Sequence, residues 1–357
     1  MRPFRVLLAF LLVAALAIFF LLPWVLKERI RKGLEGAVPG SKATVGAIAF
    51  ERPRHLAVSG VSVRSEGLDL SVAKVRIGTD RRVDVHGLEG VVRALPKKAS
   101  ASTRSAPLPL RAVHVHSFTL TYQANGIAAE LKGDLEYDFS SGTFARIDVT
   151  LPSLKRGDLS LENARFRTGA DGKGELGVAT VSRKELRVTA ISAKATLSPG
   201  KLDLTALDAA FAGGKVTGSA EIRFETPVRY TANLSVRGLD LAALGTQLDI
   251  GRKVGLGGSV DGEILLEGDA ADVRRFTGKL RGTAKGGDVV IRDRATLEAL
   301  AKNVRQPIEL VESAFQEYHF DTAGAALALE GDDLGLEIHL DGAKGKRDLE
   351  IKLHNFL

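Results

Sequence analysis

The chain has 357 residues, 45% of them hydrophobic, with 50 Lys and Arg against 43 Asp and Glu for a net charge of +7. That apolar content supports a substantial core and excludes a disordered chain, while the absence of cysteine excludes a disulfide framework or a thiolate metal site. Basic and acidic residues are interleaved along the whole length, which describes solvated faces rather than a nucleic-acid patch.

The first element is an apolar run. Val6 to Leu26 are 21 residues without a charge, roughly 32 Å as a helix at about 1.5 Å per residue, enough to cross a hydrocarbon core. Arg2 and Arg5 flank one side and Lys27, Arg29, Arg31 and Lys32 the other, with Pro23 and Trp24 at interface depth. A cleaved secretory signal would have a shorter apolar region followed by a small-x-small cleavage site, whereas a charged stretch, Lys27 to Lys32, follows this run. Residues 1–32 are therefore expected to be a membrane anchor. Flanking charge alone leaves its orientation open, because long domains translocate largely regardless of it.

The rest of the chain alternates with a period of two. Leu131, Leu135 and Tyr137 oppose Lys132, Asp134, Glu136 and Asp138. Leu202, Leu204 and Ala206 oppose Lys201, Asp203 and Thr205. Val228, Tyr230, Ala232, Leu234 and Val236 oppose Arg229, Thr231, Asn233, Ser235 and Arg237. Leu334, Leu336, Ile338 and Leu340 oppose Glu337, His339 and Asp341, and Leu349, Ile351 and Leu353 oppose Glu350, Lys352 and His354. One apolar and one charged face is the pattern of half-buried antiparallel strands. Turn signals such as Asp171-Gly172, Pro199-Gly200 and Gly213-Gly214 separate about twenty such strands.

Two stretches break the pattern. Residues 96–109, PKKASASTRSAPLP, read as a flexible linker or excursion between a β segment at 33–95 and a longer β domain at 110–357. Within the latter, residues 293–318 read as a helical pair. Asp293 caps the first helix, which carries Leu297, Leu300, Ala301 and Val304; Pro307 starts the second, with Ile308, Val311, Ala314, Phe315 and Tyr318. These few helices cannot cover so much apolar face. Periodicity leaves three arrangements open: a closed barrel, a sandwich with a dry core, or an elongated folded sheet with an open apolar groove.

Chemical motifs are sparse. Gly172-x-Gly174-x-x-Gly177 matches a dinucleotide fingerprint by spacing, but strand-like residues follow it instead of a helix, so it reads as a hairpin turn. His114-x-His116 places two imidazoles on one strand face, yet no third ligand is suggested nearby, and a solvated strand face is the plainer reading. No nucleophile elbow, P-loop or H-E-x-x-H occurs. No catalytic residue, cofactor or metal is assigned, and an enzyme is not expected.

Residues 34–77, LEGAVPGSKATVGAIAFERPRHLAVSGVSVRSEGLDLSVAKVRI, with a small-residue turn, VG-x-I-x-F and L-x-V-x-GV-x-V, resemble the amino-terminal segment of AsmA-like proteins. Phe211-Ala212-Gly213-Gly214-Lys215-Val216-Thr217-Gly218-Ser219-Ala220, Val236-Arg237-Gly238-Leu239-Asp240-Leu241 and the hairpin Gly258 to Gly268 are similar to further elements of that family, and 315–321 with the final strands to its YdbH branch. The resemblance covers the anchor and about two thirds of the remainder. It implies a mainly β protein: a transmembrane helix, then an elongated, folded-over antiparallel sheet, a taco-like β-groove, with the helical pair near the C-terminus. It also implies anchorage in the Gram-negative inner membrane, the bulk of the chain in the periplasm, and carriage of phospholipid between the membranes. The expected lining residues are Leu202, Leu204, Val228, Tyr230, Leu234, Val236, Leu334, Leu336, Ile338 and Leu340.

Twenty strands at about 4.8 Å make a groove on the order of 95 Å, short for an envelope. Leu349, Ile351 and Leu353 are accordingly expected to form a docking edge, for self-association or for the small outer-membrane lipoprotein that the YdbH-like resemblance implies. A reporter that fluoresces only in the cytoplasm, fused to the C-terminus, should be dark; bright cells would reverse the orientation.

Overall fold

In the computed structural model, residues 26–36, 38, 40–51, 55–93, 110–124, 126–249, 251–269, 272–315, 318–331 and 333–353 are described. The anchor Val6 to Leu26, apart from its last residue, and the linker at 96–109 lie outside them. No helix among the described residues is long and apolar enough to cross a membrane. The protein is mainly β, and the chain forms two compact units that divide between Gly157 and Asp158, with Gly169–Asp171 counted in the first.

The first unit begins with helix α1 (26–36), which carries the charged residues Lys27, Glu28, Arg29, Arg31, Lys32 and Glu35. Arg31 bonds Glu28 and Glu35 on it, and Glu35 accepts from the Ala43 amide. The strands are β1 (Lys42–Thr44), β2 (Ile48–Phe50), β3 (His55–Arg64), β4 (Leu68–Gly78), β5 (Arg82–Val92), β6 (Ala112–Ala124), β7 (Ile127–Asp138) and β8 (Thr143–Arg156). β1 and β2 both pair with β3, and consecutive strands then pair in order to β8. Ile30 and Leu34 of α1 pack on Val45, Val58 and Val61, closing one end of the apolar face.

One pairing departs from the antiparallel expectation. β5 and β6 are parallel, with Asp84 opposite His114 and His86 opposite His116. A hairpin cannot make such a pair; it needs a connection of a dozen residues or more that returns the chain to the same end. The 19 residues from Arg93 to Arg111 supply that length.

The second unit carries β9 (Leu159–Thr168), β10 (Lys173–Arg183), β11 (Leu186–Ser198), β12 (Lys201–Phe211), β13 (Gly214–Arg223) and β14 (Arg229–Asp240). Helix α2 (Leu241–Gln247), β15 (Val254–Leu256), β16 (Ser259–Asp269), β17 (Asp272–Gly282) and β18 (Gly287–Ile291) follow. Helices α3 (Arg294–Val304) and α4 (Ile308–Phe315), then β19 (Tyr318–Phe320), β20 (Thr322–Glu330), β21 (Asp333–Gly342) and β22 (Gly345–Leu353) complete it. Eleven strands form an antiparallel ladder in the order β9-β10-β11-β12-β13-β14-β16-β17-β20-β21-β22. β15, β18 and β19 make a separate three-stranded sheet.

The dinucleotide-like glycines lie in the β9–β10 hairpin and on β10. Gly172 turns at φ +71°, where a Cβ would also meet the Leu197 carbonyl oxygen at 2.3 Å. The helical pair forms as expected. Asp293 caps α3 by accepting from the Thr296 amide, and Leu297, Ala301 and Val311 are buried. Tyr318 departs from expectation: it does not end the second helix but starts β19, where it is fully buried and its hydroxyl donates to the Gly345 carbonyl. Together with Val289, Phe320 and Leu340 these residues form one core cluster, so α3 and α4 sit on the apolar face at the β21–β22 end.

Phe320 is 1% exposed and Leu310, on α4, 56%. Phe320→Ala should cost about 3–5 kcal/mol in urea unfolding, whereas Leu310→Ala should stay within about 0.5 kcal/mol.

Candidate functional site

Side chains of paired residues share a face, so the register alone shows which apolar groups become neighbours. Leu234 pairs with Gly218 on one side and Ile264 on the other; Ile264 pairs with Gly278, Gly278 with Leu327, Leu327 with Leu336, and Leu336 with Ile351. A second row runs from Val216 through Val236, Gly262, Leu280, Ala325 and Ile338 to Leu349. Leu202 reaches Tyr230 through Ile222, and Leu204 reaches Ala232 through Ala220. Leu202, Leu204, Tyr230, Leu234, Val236, Leu336 and Ile338 therefore share one face of the eleven-stranded ladder, joined by Leu334 and Leu340 on β21.

Val228 differs from its expected place. β14 begins at Arg229, and Val228, just ahead of it, is 38% exposed. Burial is uneven among the others: Leu204, Val236, Leu334 and Leu340 are buried, whereas Leu202, Tyr230, Leu234, Leu336 and Ile338 are half-buried. Two of the buried ones, Val236 and Leu340, lie where helices cover the face. Val236 joins Ala209, Val216 and Leu239 under Leu241, Ala243 and Leu244 of α2. That helix is capped by Asp240, whose carboxylate accepts from the Ala242 and Ala243 amides. Leu340 lies in the cluster with α3 and α4.

Between these covered regions an open trough of about 610 Å³ crosses β13, β14, β16, β17 and β20. Leu234, Ile264 and Leu327 line it with Gly218 and Gly278, polar residues including Asn233, Glu263 and Lys279 border it, and no helix residue contributes. Glycines in the row lower the floor because they put no side chain between the flanking aliphatics. A Cβ added at Gly278 would meet the Leu327 side chain at 3.1 Å. Neither Gly218, Gly278, Ile264 nor Leu327 was among the expected lining residues. Their signal was present in V-x-G-x-A and F-x-G-x-L, where glycine occupies the apolar phase of the alternation.

Tyr230 lies over Gly268, its cross-strand partner, and its hydroxyl donates to the Asp272 carbonyl at 3.1 Å. Burial, followed by the charges of Asp269 and Asp272, raises its pKa. The opposite face carries the ions: Lys201 bridges Asp203 and Glu221, and these partners hold its pKa up.

At the C-terminal edge, β22 pairs with β21 and has no second strand partner among the described residues. Leu349 packs toward the cluster under α3 and α4. The side chains of Ile351 and Leu353 lie outside the described set. The helical pair thus covers part of the apolar face rather than a strand edge.

A second constellation lies on the polar face of the first unit. His114 and His116 are joined there by Asp84 and His86 through the parallel β5–β6 pairing. Asp84, His114 and His116 each offer one ligand atom within 4.8 Å of the others. Burial, then the neighbouring His116, lowers the pKa of both His86 and His114.

Comparison with family models, curated proteins and solved structures finds no match.

Tyr318, like Tyr230, has its pKa raised first by burial. A raised folded pKa gives stability that is present below the unfolded value of about 10 and is lost as pH rises through the folded one. Unfolding midpoints should therefore fall above about pH 10, and Tyr230→Phe should flatten that alkaline limb.

Proposed function

We propose that the protein is a lipid conduit, or a component of one, whose apolar sheet face receives phospholipid acyl chains. The observation that carries this reading is the trough over Leu234, Ile264 and Leu327 on a face that stays apolar across eleven strands. Five strands at about 4.8 Å make a trough roughly 19 Å long. One leaflet's share of the hydrocarbon core is roughly 15 Å, so an acyl chain fits along it. Burying that chain removes apolar area from water on both sides, which favours binding by about 25 cal/mol per Å².

The apolar run from Val6 to Leu26 supports membrane attachment, and the AsmA-like resemblance supports the inner membrane of a Gram-negative envelope with the chain in the periplasm. In this reading the face belongs to a folded-over β-groove, and the free edge of β22 is where a second copy or a small outer-membrane lipoprotein extends it by strand addition.

The burial of Val236 and Leu204 on the same face favours a second reading, a non-transporting envelope scaffold with a sealed core. In a deletion strain, slowed lipid delivery to the outer membrane fits the conduit. Loss of one outer-membrane protein at normal lipid flux fits the scaffold.

A photo-crosslinking residue at Leu234 or Leu336 should capture phospholipid in cells. Leu234→Arg should abolish capture at the neighbouring positions, because an unpaired charge on an apolar surface is costly. Crosslinks to protein side chains alone would mean a dry interior and would remove the conduit reading.

A further inference from the structure

The histidines of the first unit are unrelated to the apolar face. His114 and His116 alternate on β6 with Val113 and Val115, so both imidazoles stand on the polar side. The parallel pairing sets Asp84 opposite His114 and His86 opposite His116. The His116 Nε2 lies 3.5 Å from the Asp84 Oδ1. The rings of His114 and His116 are 3.5 Å apart between centroids, and His86 stacks on His116 at 4.5 Å. Three imidazoles and a carboxylate are thereby gathered from two strands.

Two further observations bear on what belongs there. The Nε2 of His86 is buried without a hydrogen-bond partner; such a group costs free energy and calls for an explanation, a bound ion among them. In addition, both strands bulge immediately after the cluster. Gly87 turns at φ +64° and Ser117 at φ +54°; the β5–β6 pairing skips from His86–His116 to Glu89–Thr119 with its register unchanged, while β6 shifts against β7 between Val115 and Phe118. Bulges re-aim side chains and concentrate beside functional sites. The Asp134 carboxylate fixes the one at Ser117 by accepting from its amide. The nearby cations, Lys74 and Arg76, are both engaged by Glu51.

We propose that Asp84, His114 and His116 bind a late first-row divalent cation such as zinc, the fourth position going to His86 once its ring leaves the stack on His116, or to water. Imidazole and carboxylate are the ligand types that such ions take, at metal–ligand distances of about 2.0–2.2 Å, whereas magnesium and calcium prefer oxygen throughout. The three ligand atoms within 4.8 Å need only small side-chain rotations to close on one ion. Ligands from β5 and β6 make the ion a cross-link between the two strands that only a long connection brings together. It would hold shut the parallel pair, which no hairpin turn secures.

The test uses the full chain, purified in detergent without a histidine tag. Zinc is titrated against a chromophoric chelator, and cobalt(II) is added separately to read coordination from its visible spectrum. One equivalent of zinc should bind, cobalt should give the intense bands of a four-coordinate site, and zinc but not magnesium should raise the thermal midpoint by several degrees. His116→Ala and the conservative Asp84→Asn should weaken zinc binding at least about tenfold. His319→Ala, whose ring pairs instead with Asp288, should leave the stoichiometry unchanged. Circular dichroism checks that the variants fold. Wild-type protein that takes up no stoichiometric zinc and gives no four-coordinate cobalt spectrum would overturn the site, even if the variants fail to fold. So would folded His116→Ala and Asp84→Asn chains that bind zinc as tightly as wild type.

Discussion

The structure depends on phase: every strand of a ladder must turn its apolar side chains to the same face as its neighbours do. A slip of one residue would move a whole apolar set into water. The sequence does slip, repeatedly, and β-bulges absorb each slip. On β12 the apolar residues change from even positions, Leu202 and Leu204, to odd ones, Leu207, Ala209 and Phe211. The register shift between Leu204 and Leu207 and the left-handed Ala206 at φ +49° keep all of them on the face of Ile222, Ala220 and Val216. Gly238 does the same on β14, between Val236 and Leu239, and its amide donates to Asp261 at the kink. In the first unit Gly87 and Ser117 rectify β5 and β6 together.

A face kept in phase over so many strands is larger than the available helices can cover. α2 and the α3–α4 pair seal parts of it, and burial of Val236 and Leu340 follows. The strip between them is floored by glycine and edged by the aliphatic side chains of Leu234, Ile264 and Leu327, with Asn233, Glu263 and Lys279 among the polar residues that also border it, which leaves room for an apolar guest. Such a surface discriminates by shape and hydrophobicity, as a carrier of acyl chains would require. The polar faces of the two units carry cross-strand ion pairs, such as Lys201 with Glu221 in the second, and the first adds a cluster of imidazoles beside its paired bulges.

What the residues determine by themselves is the mainly β character, the charged and apolar faces, the helical pair at 293–318 and most of the face-lining set. These are local properties. Alternation, turn glycines and the Asp293 cap act within a few residues, so a linear pattern records them. Even Ala206, which the alternation groups with Leu202 and Leu204, departs only because the bulge falls at Ala206 itself, and Tyr318 only because strand pairing with Val289 outweighs helical continuation.

Tertiary structure decided the rest. The trough exists because Gly218, Gly278 and Leu327 come into one row with Leu234, and that depends on strands up to about a hundred residues apart sharing a register. The parallel pairing of β5 with β6 is set by where the chain returns after the 93–111 connection, which no local pattern encodes. Asp84 and His86 meet His114 and His116 for that reason alone. A period of two states which face a side chain takes; the backbone ladder states which neighbours it has there.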